Sequence, residues 1–194
     1  MQKIVSDPTA PVEISGAGPA GLAAAITLAR AGRQVVVHEA QKEVGHRFGG
    51  DFQGLENWSS DEDVLSIIQR QGLATDFSAL PCYHGTAFDA RGKNYTIKSE
   101  EPLFYLVERG PGPGPGTLDS TLLRQAQDLG VEICFNSRLH KVAGEGILAA
   151  GPRAAGRGPP TLLPWAITLR PIWRMDTGSS AMIIWRLRVM PIYW

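Results

Sequence analysis

Cysteine is scarce in this chain: Cys82 and Cys134 are the only two in 194 residues. Two cysteines without metal-ligand spacing exclude a disulfide framework and a zinc ribbon, and they read as buried free thiols in a reducing, cytoplasmic setting. The four histidines, His38, His46, His84 and His140, are scattered along the chain. Each reads as a structural or surface residue, and no metal site is expected. Excess charge of one sign is missing as well: the formal net charge is zero, which leaves nothing to attract nucleic acid. No apolar run is long enough to span a bilayer, and no signal peptide is recognisable. A hydrophobic content of 43% suffices for one domain with a real core.

The zero net charge hides an uneven distribution. Residues 1–150 hold 13 Lys and Arg against 18 Asp and Glu, whereas residues 151–194 hold six Arg, no Lys and a single acid, Asp176. Four of the five tryptophans (Trp165, Trp173, Trp185, Trp194) and six of the 14 prolines lie in that tail. The chain therefore divides into a flexible leader at 1–11, a body at 12–155 and an atypical tail at 156–194.

The most informative stretch is VEISGAGPAGLAAAITLARAGRQVVVHEA, residues 12–40. Val12 and Ile14 alternate with polar residues as in a strand, and Gly16, Gly18 and Gly21 follow. Gly16 permits a tight strand-to-helix turn, Gly18 leaves room for a pyrophosphate beside the backbone, and Gly21 allows close helix–strand packing. Pro19 and Ala20 occupy the first helical turn, where a missing N–H costs nothing and the positive end of the helix dipole faces the phosphates. Ala24, Ala25 and Leu28 continue an apolar face, and Gly32 is a plausible stop. Gln34 to His38 reads as a second strand with Val35, Val36 and Val37 in a buried run. Glu39 then falls about 23 residues after Gly16, near the spacing expected of an acid that accepts two hydrogen bonds from a ribose diol. A carboxylate there repels a 2′-phosphate and disfavours NADP. The order of strand, turn, helix, strand and acid points to a bound dinucleotide.

Beyond Glu39, residues 45–59 are glycine-rich and read as loop. Ser60 and Asp63 suggest a capping box opening a helix through Val64, Leu65, Ile67 and Ile68, with Gly72 as its stop. Residues 83–88, 94–98 and 103–107 read as three strands, with a hairpin turn at Arg91–Gly92. The GPGPGPG run at 110–116 reads as loop. Thr117 caps a helix to about Leu129, stopped by Gly130; Val131–Phe135 and Ile147–Ala150 are the last expected strands of the body. The fold class is α/β: a Rossmann-like sheet with an inserted antiparallel segment at about 83–107, and an irregular C-terminal tail.

PLFYLVERGPGPGPGTLDSTLL, starting at Pro102, resembles the PxxYxVxRxxFDxxL signature of the geranylgeranyl reductase family, within the p-hydroxybenzoate hydroxylase-like flavoproteins. Pro102, Tyr105, Val107, Arg109, Asp119 and Leu122 match in type and order. The departures are the glycine–proline insertion and Leu118 in place of Phe, and they bear on whether Arg109 and Asp119 keep the family geometry. GPAGLAAA is also similar to the flavoprotein form of the glycine turn. The resemblance implies an FAD-binding sheet and a flavin that reduces isoprenoid double bonds by hydride transfer. It places Arg47 and Arg109 with Gly16, Gly18, Pro19, Ala20, Gly21 and Glu39 as candidate cofactor-binding residues. Arg47 is equally readable as a solvated arginine, Tyr105 as core or pocket, and Arg109 as a structural partner of Asp119. No catalytic acid–base pair is recognisable.

The implied substrate is a small molecule or isoprenoid lipid, with a peripheral membrane encounter open. The tail admits two readings. It is a shifted-frame translation of former family sequence, which makes the chain a truncated enzyme; or it is a native tail whose Arg170, Arg174, Arg186 and Arg188 suit an anionic interface. Pro164, Pro171 and Pro191 break helices and count against the second. The alternatives for the whole chain are a catalytically incomplete nucleotide-binding fragment and a flavin-dependent monooxygenase.

Overall fold

The computed structural model describes residues 10–111, 116–139, 146–149, 166–174 and 182–190, the last two segments as backbone. The leader and most of the tail lie outside the described residues. In chain order the elements are β1 (Val12–Ser15), α1 (Pro19–Arg30), β2 (Val35–His38), β3 (Phe52–Glu56), α2 (Val64–Arg70), β4 (Ala79–Cys82), β5 (His84–Phe88), β6 (Asn94–Lys98), β7 (Phe104–Glu108), α3 (Leu118–Asp128), β8 (Glu132–Cys134), β9 (Gly146–Leu148), β10 (Ala166–Arg174) and β11 (Met182–Met190).

The described residues fall into two compact units, one from within 1–80 and 106–156, the other from within 81–105 and 157–194. In the first, a parallel sheet runs in the order β8-β2-β1-β9. The chain builds outward from β1 through β2 to β8, then returns to the other side of β1 for β9. That reversal is the switch point of a Rossmann-like sheet, and ligands of such sheets bind at the strand ends beside it. The fold is therefore α/β with separate antiparallel strands, as the residue pattern implies.

Val12 and Ile14 of β1, and Val35 and Val37 of β2, are buried, whereas Val36 is half-buried. The burial alternates instead of forming the continuous buried run expected of β2. On α1, Gly21, Leu22, Ala25 and Ile26 are buried, and this face packs against α3. The buried residues of α3 are Leu118, Asp119, Thr121, Leu122 and Ala126. Ala25 and Ala126 are fully buried, small residues where the two helices meet their neighbours.

Helix ends follow local chemistry. At the end of α1, Gly32 takes φ +79° and its N–H reaches Ala29 O at 2.9 Å, while Arg33 N–H reaches Leu28 O at 3.0 Å. Thr117 caps α3, its Oγ1 accepting from Ser120 N–H at 3.1 Å, and Gly130 takes φ +79° after its last turn. The start of α2 differs from the expected capping box. Asp63 is itself the cap, its Oδ1 accepting from Leu65 and Ser66 N–H, and Asn57 Oδ1 takes the Val64 N–H at 2.6 Å. With those N–H groups satisfied by Asp63 and Asn57, the helix begins at Val64, and Ser60 accepts only from Glu62 in a turn.

In the second unit, β5 and β6 form an antiparallel hairpin with Thr86 opposite Thr96. Its turn is closed by Asp89, whose carboxylate accepts from Arg91 and Lys93 N–H, with Gly92 at φ +83°. These backbone donors, Lys93 foremost, hold the Asp89 carboxyl below its ordinary pKa. The sheet continues in the order β10-β11-β5-β6, with β11 parallel to β5. The tail was expected to be irregular, yet it carries these two strands; their residues are rich in Ile, Val, Leu and Trp, which favour extended backbone. A third sheet, order β3-β7-β4, contains two strands that the sequence pattern does not announce, β3 in the glycine-rich stretch after β2 and β4 before the first expected strand.

Candidate functional site

The glycine turn sits at the carboxyl end of β1, beside the switch point. Gly16 N–H bonds His38 O at 2.8 Å, and Ala149 N–H bonds Ser15 O at 2.9 Å, so the turn is pinned between β2 and the end of β9. The three glycines then part company. Gly16 adopts φ +104°, a conformation that side-chain-bearing residues rarely reach. A Cβ on Gly21 would overlap the Gly16 carbonyl oxygen and lie 3.2 Å from the Ala149 methyl. Gly18 has an ordinary extended backbone, φ −75° and ψ 174°, and a Cβ there would meet nothing within 4 Å. The fold demands the first and third glycines. The second faces open space at the head of α1. Pro19 opens α1 as expected, followed by Ala20 on the exposed side of the first turn.

Glu39 is turned back onto this turn. Its Oε2 accepts from Ala17 N–H at 2.9 Å and its Oε1 from Gln41 N–H at 2.9 Å, with Glu39 half-buried. A carboxylate oxygen has more than one lone pair, so these bonds fix the group and leave acceptor capacity for hydroxyls. Ala17, buried at 1% exposure, was not among the expected site residues. Next to Glu39, His38 Nδ1 lies 2.8 Å from Ser137 Oγ, and its Nε2 is 3.6 Å from Glu13 Oε1. Cys134, at the end of β8, is half-exposed and free; desolvation raises its thiol pKa, so it is no activated nucleophile.

The loop from Glu39 leads to a second cluster. Arg109 and Asp119 form a buried bidentate pair, Nε to Oδ2 at 2.6 Å and Nη2 to Oδ1 at 2.8 Å. Asp119 Oδ2 also accepts from Gly110 N–H at 3.0 Å, and Arg109 Nη1 donates to Gln53. Each of the three Arg109 guanidinium nitrogens is thereby engaged, and the group lies over Phe48 at 4.2 Å from the ring centroid. The structure thus brings Arg109, one of the expected cofactor-binding residues, to Asp119 and Gln53. Gly45 at φ +59° lies so close that a Cβ would sit 2.7 Å from Gly110 Cα and 3.0 Å from Asp119 Cγ. Arg47 is exposed, with its Cζ 4.8 Å from the Phe48 centroid. Nearby, His46 bonds Glu43 at 2.9 Å, and this bond holds the Glu43 carboxyl below its ordinary pKa. Phe48, Gln53 and Ala149 escaped the sequence reading; a lone aromatic, amide or alanine in such stretches carries no periodic signal.

Residues 14–52 match the family described as NAD(P)-binding Rossmann-like domain. No curated protein matches the chain. Among solved structures, it is similar to a 2-methyl-3-hydroxypyridine-5-carboxylic acid oxygenase at 23% identity and TM-score 0.48, over 66% of this chain and 32% of that one. A geranylgeranyl bacteriochlorophyll reductase-like protein from Thermoplasma acidophilum aligns at 20% identity and TM-score 0.48, over 65% and 30%. A flavin-dependent brominase aligns at 23% identity and TM-score 0.43, over 63% and 28%. The aligned part spans about a third of the length of each of these chains.

Proposed function

We propose that the first unit holds the dinucleotide FAD and that the chain serves an FAD-dependent oxidoreductase. The observation that carries this reading is the arrangement at the head of α1, beside the switch point: Gly16 at φ +104°, an unobstructed Gly18 and the Glu39 carboxylate bonded to Ala17 N–H. Gly16, Gly18 and Gly21 shape the approach, Pro19 and Ala20 present the helix end to the pyrophosphate, and Glu39, already fixed on Ala17, accepts the ribose hydroxyls. Arg47 meets the pyrophosphate with its free edge, and Arg109 supports the loop that carries it. The bound flavin supplies hydride transfer, while the chain binds and orients it.

The finer reading is a reductase of isoprenoid double bonds. It is supported by the match of Pro102, Tyr105, Val107, Arg109, Asp119 and Leu122 to the geranylgeranyl reductase signature. The substrate is then a lipid, met at a membrane surface; among the described residues no helix is long and apolar enough to cross a membrane. For residues beyond about 156 we keep the shifted-frame reading, which the coding DNA tests directly: one intact frame through Trp194 in related strains removes it.

The decisive measurement is titration of the purified chain with FAD, NAD and NADP. FAD binds stoichiometrically and NADP most weakly, because Glu39 repels its 2′-phosphate. A folded chain that binds none of them overturns the proposal. Anaerobic reoxidation of the reduced, FAD-loaded protein by a geranylgeranyl lipid tests the reductase step. Bound flavin that stays reduced removes that step and leaves the dinucleotide site standing.

A further inference from the structure

Two cations share one aromatic ring in the loop after β2. Arg109 lies over Phe48 at 4.2 Å and Arg47 at 4.8 Å from the ring centroid. Repulsion between such like charges falls where one of them is neutralised or where solvent screens the other, and the ring adds attraction. Asp119, fully buried, neutralises Arg109. Arg47 is exposed, and among the described residues the face of Phe48 is its one recorded interaction. A guanidinium stacked on a ring keeps the N–H donors along its edge free for an anion.

Phe48 is itself fixed. Its N–H donates to Gly45 O at 2.8 Å, its carbonyl accepts from Asp51 N–H at 2.9 Å, and Gly50 N–H donates to Arg109 O at 3.1 Å. The chain of support therefore runs from Asp119 through Arg109 and the Phe48 ring to Arg47. The same loop starts at Glu39, which grips the glycine turn through Ala17.

We propose that Phe48 is a positioning residue for FAD: its ring, packed on the buried Arg109–Asp119 pair, restricts the Arg47 guanidinium and so favours its contact with the cofactor. This rests on the reading of Arg47 as an FAD contact.

The test measures the FAD dissociation constant in a set of variants. Phe48→Leu keeps an apolar side chain and removes the ring face, and weakens FAD about tenfold. Phe48→Tyr keeps the face and binds within about twofold of the parent. Arg47→Ala weakens binding by a similar factor, and the Arg47→Ala/Phe48→Leu double variant is no weaker than Arg47→Ala alone, because both changes remove one device. Stepwise fluorination of the Phe48 ring preserves its shape, keeps the protein folded and weakens binding with each fluorine. A flat fluorination series, or independent additive losses in the double variant, overturns the positioning role while Arg47→Ala still identifies an FAD contact. Undiminished binding by Arg47→Ala instead removes the contact reading, and the positioning role with it. A parent chain that binds no FAD removes both.

Discussion

Gly16 and Gly21 at the head of α1 answer to each other, since a side chain on the second strikes the carbonyl of the first. In the cluster beside Asp119, a Cβ on Gly45 would strike the Gly110 backbone and one on Gly110 would strike that of Gly50. Gly18 stands apart from all of them: its conformation suits any residue and its surroundings are empty. Glycines forced by packing explain a fold, whereas a glycine beside empty space asks what fills it. The glycine turn is thus the region proposed to receive the dinucleotide, and the Arg109–Asp119 cluster is a region fixed by its own packing.

The largest expected effect breaks the second region. Arg109→Leu leaves the Asp119 carboxylate buried without its partner and costs about 3–5 kcal/mol of folding stability, read by urea denaturation. A loss under about 1 kcal/mol means that the pair is hydrated in solution and does not anchor the loop.

The next effect separates the glycines within the first region. Gly21→Ala drives a methyl into Gly16 and costs about 2–3 kcal/mol, because backbone on both sides must shift. Gly18→Ala changes stability by less than about 1 kcal/mol yet weakens FAD binding at least tenfold, about 1.4 kcal/mol, since its methyl occupies the ligand's side of the turn. Equal stability losses in the two variants would erase the distinction drawn between them.

A smaller loss of stability than that of Gly21→Ala probes the helix that carries Asp119. Thr117→Ala removes the cap on Ser120 and the bond from Thr117 Oγ1 to Gly110 O, for about 1–2 kcal/mol. Thermal unfolding measures it, and FAD affinity falls less than in Gly18→Ala.

Much of the fold was legible where the signal is local. Gly32, Gly92 and Gly130 mark their turns with positive φ, and Thr117 caps its helix, each a matter of a few consecutive residues. The strands β5, β6 and β7 lie within a residue of their expected bounds, and the pairing of Arg109 with Asp119 is present as an ion pair. Less was legible where the deciding partner lies far away. Phe52–Glu56 is largely exposed and has no alternating burial, so β3 exists through its pairing with β7 and not through its own pattern. The late start of α2 depends on Asn57 reaching across to Val64.

By itself the sequence determined the βαβ unit, its turn, its acid and its helix ends, because these rest on periodicity and on backbone conformations that specific residues permit. Tertiary structure alone decided which glycines of the turn are fixed by packing, where Glu39 points, and that both Arg109 and Arg47 lie against Phe48. Those outcomes depend on groups that only the folded chain brings within bonding distance, Glu39 to Ala17 and Arg109 to Gln53 among them.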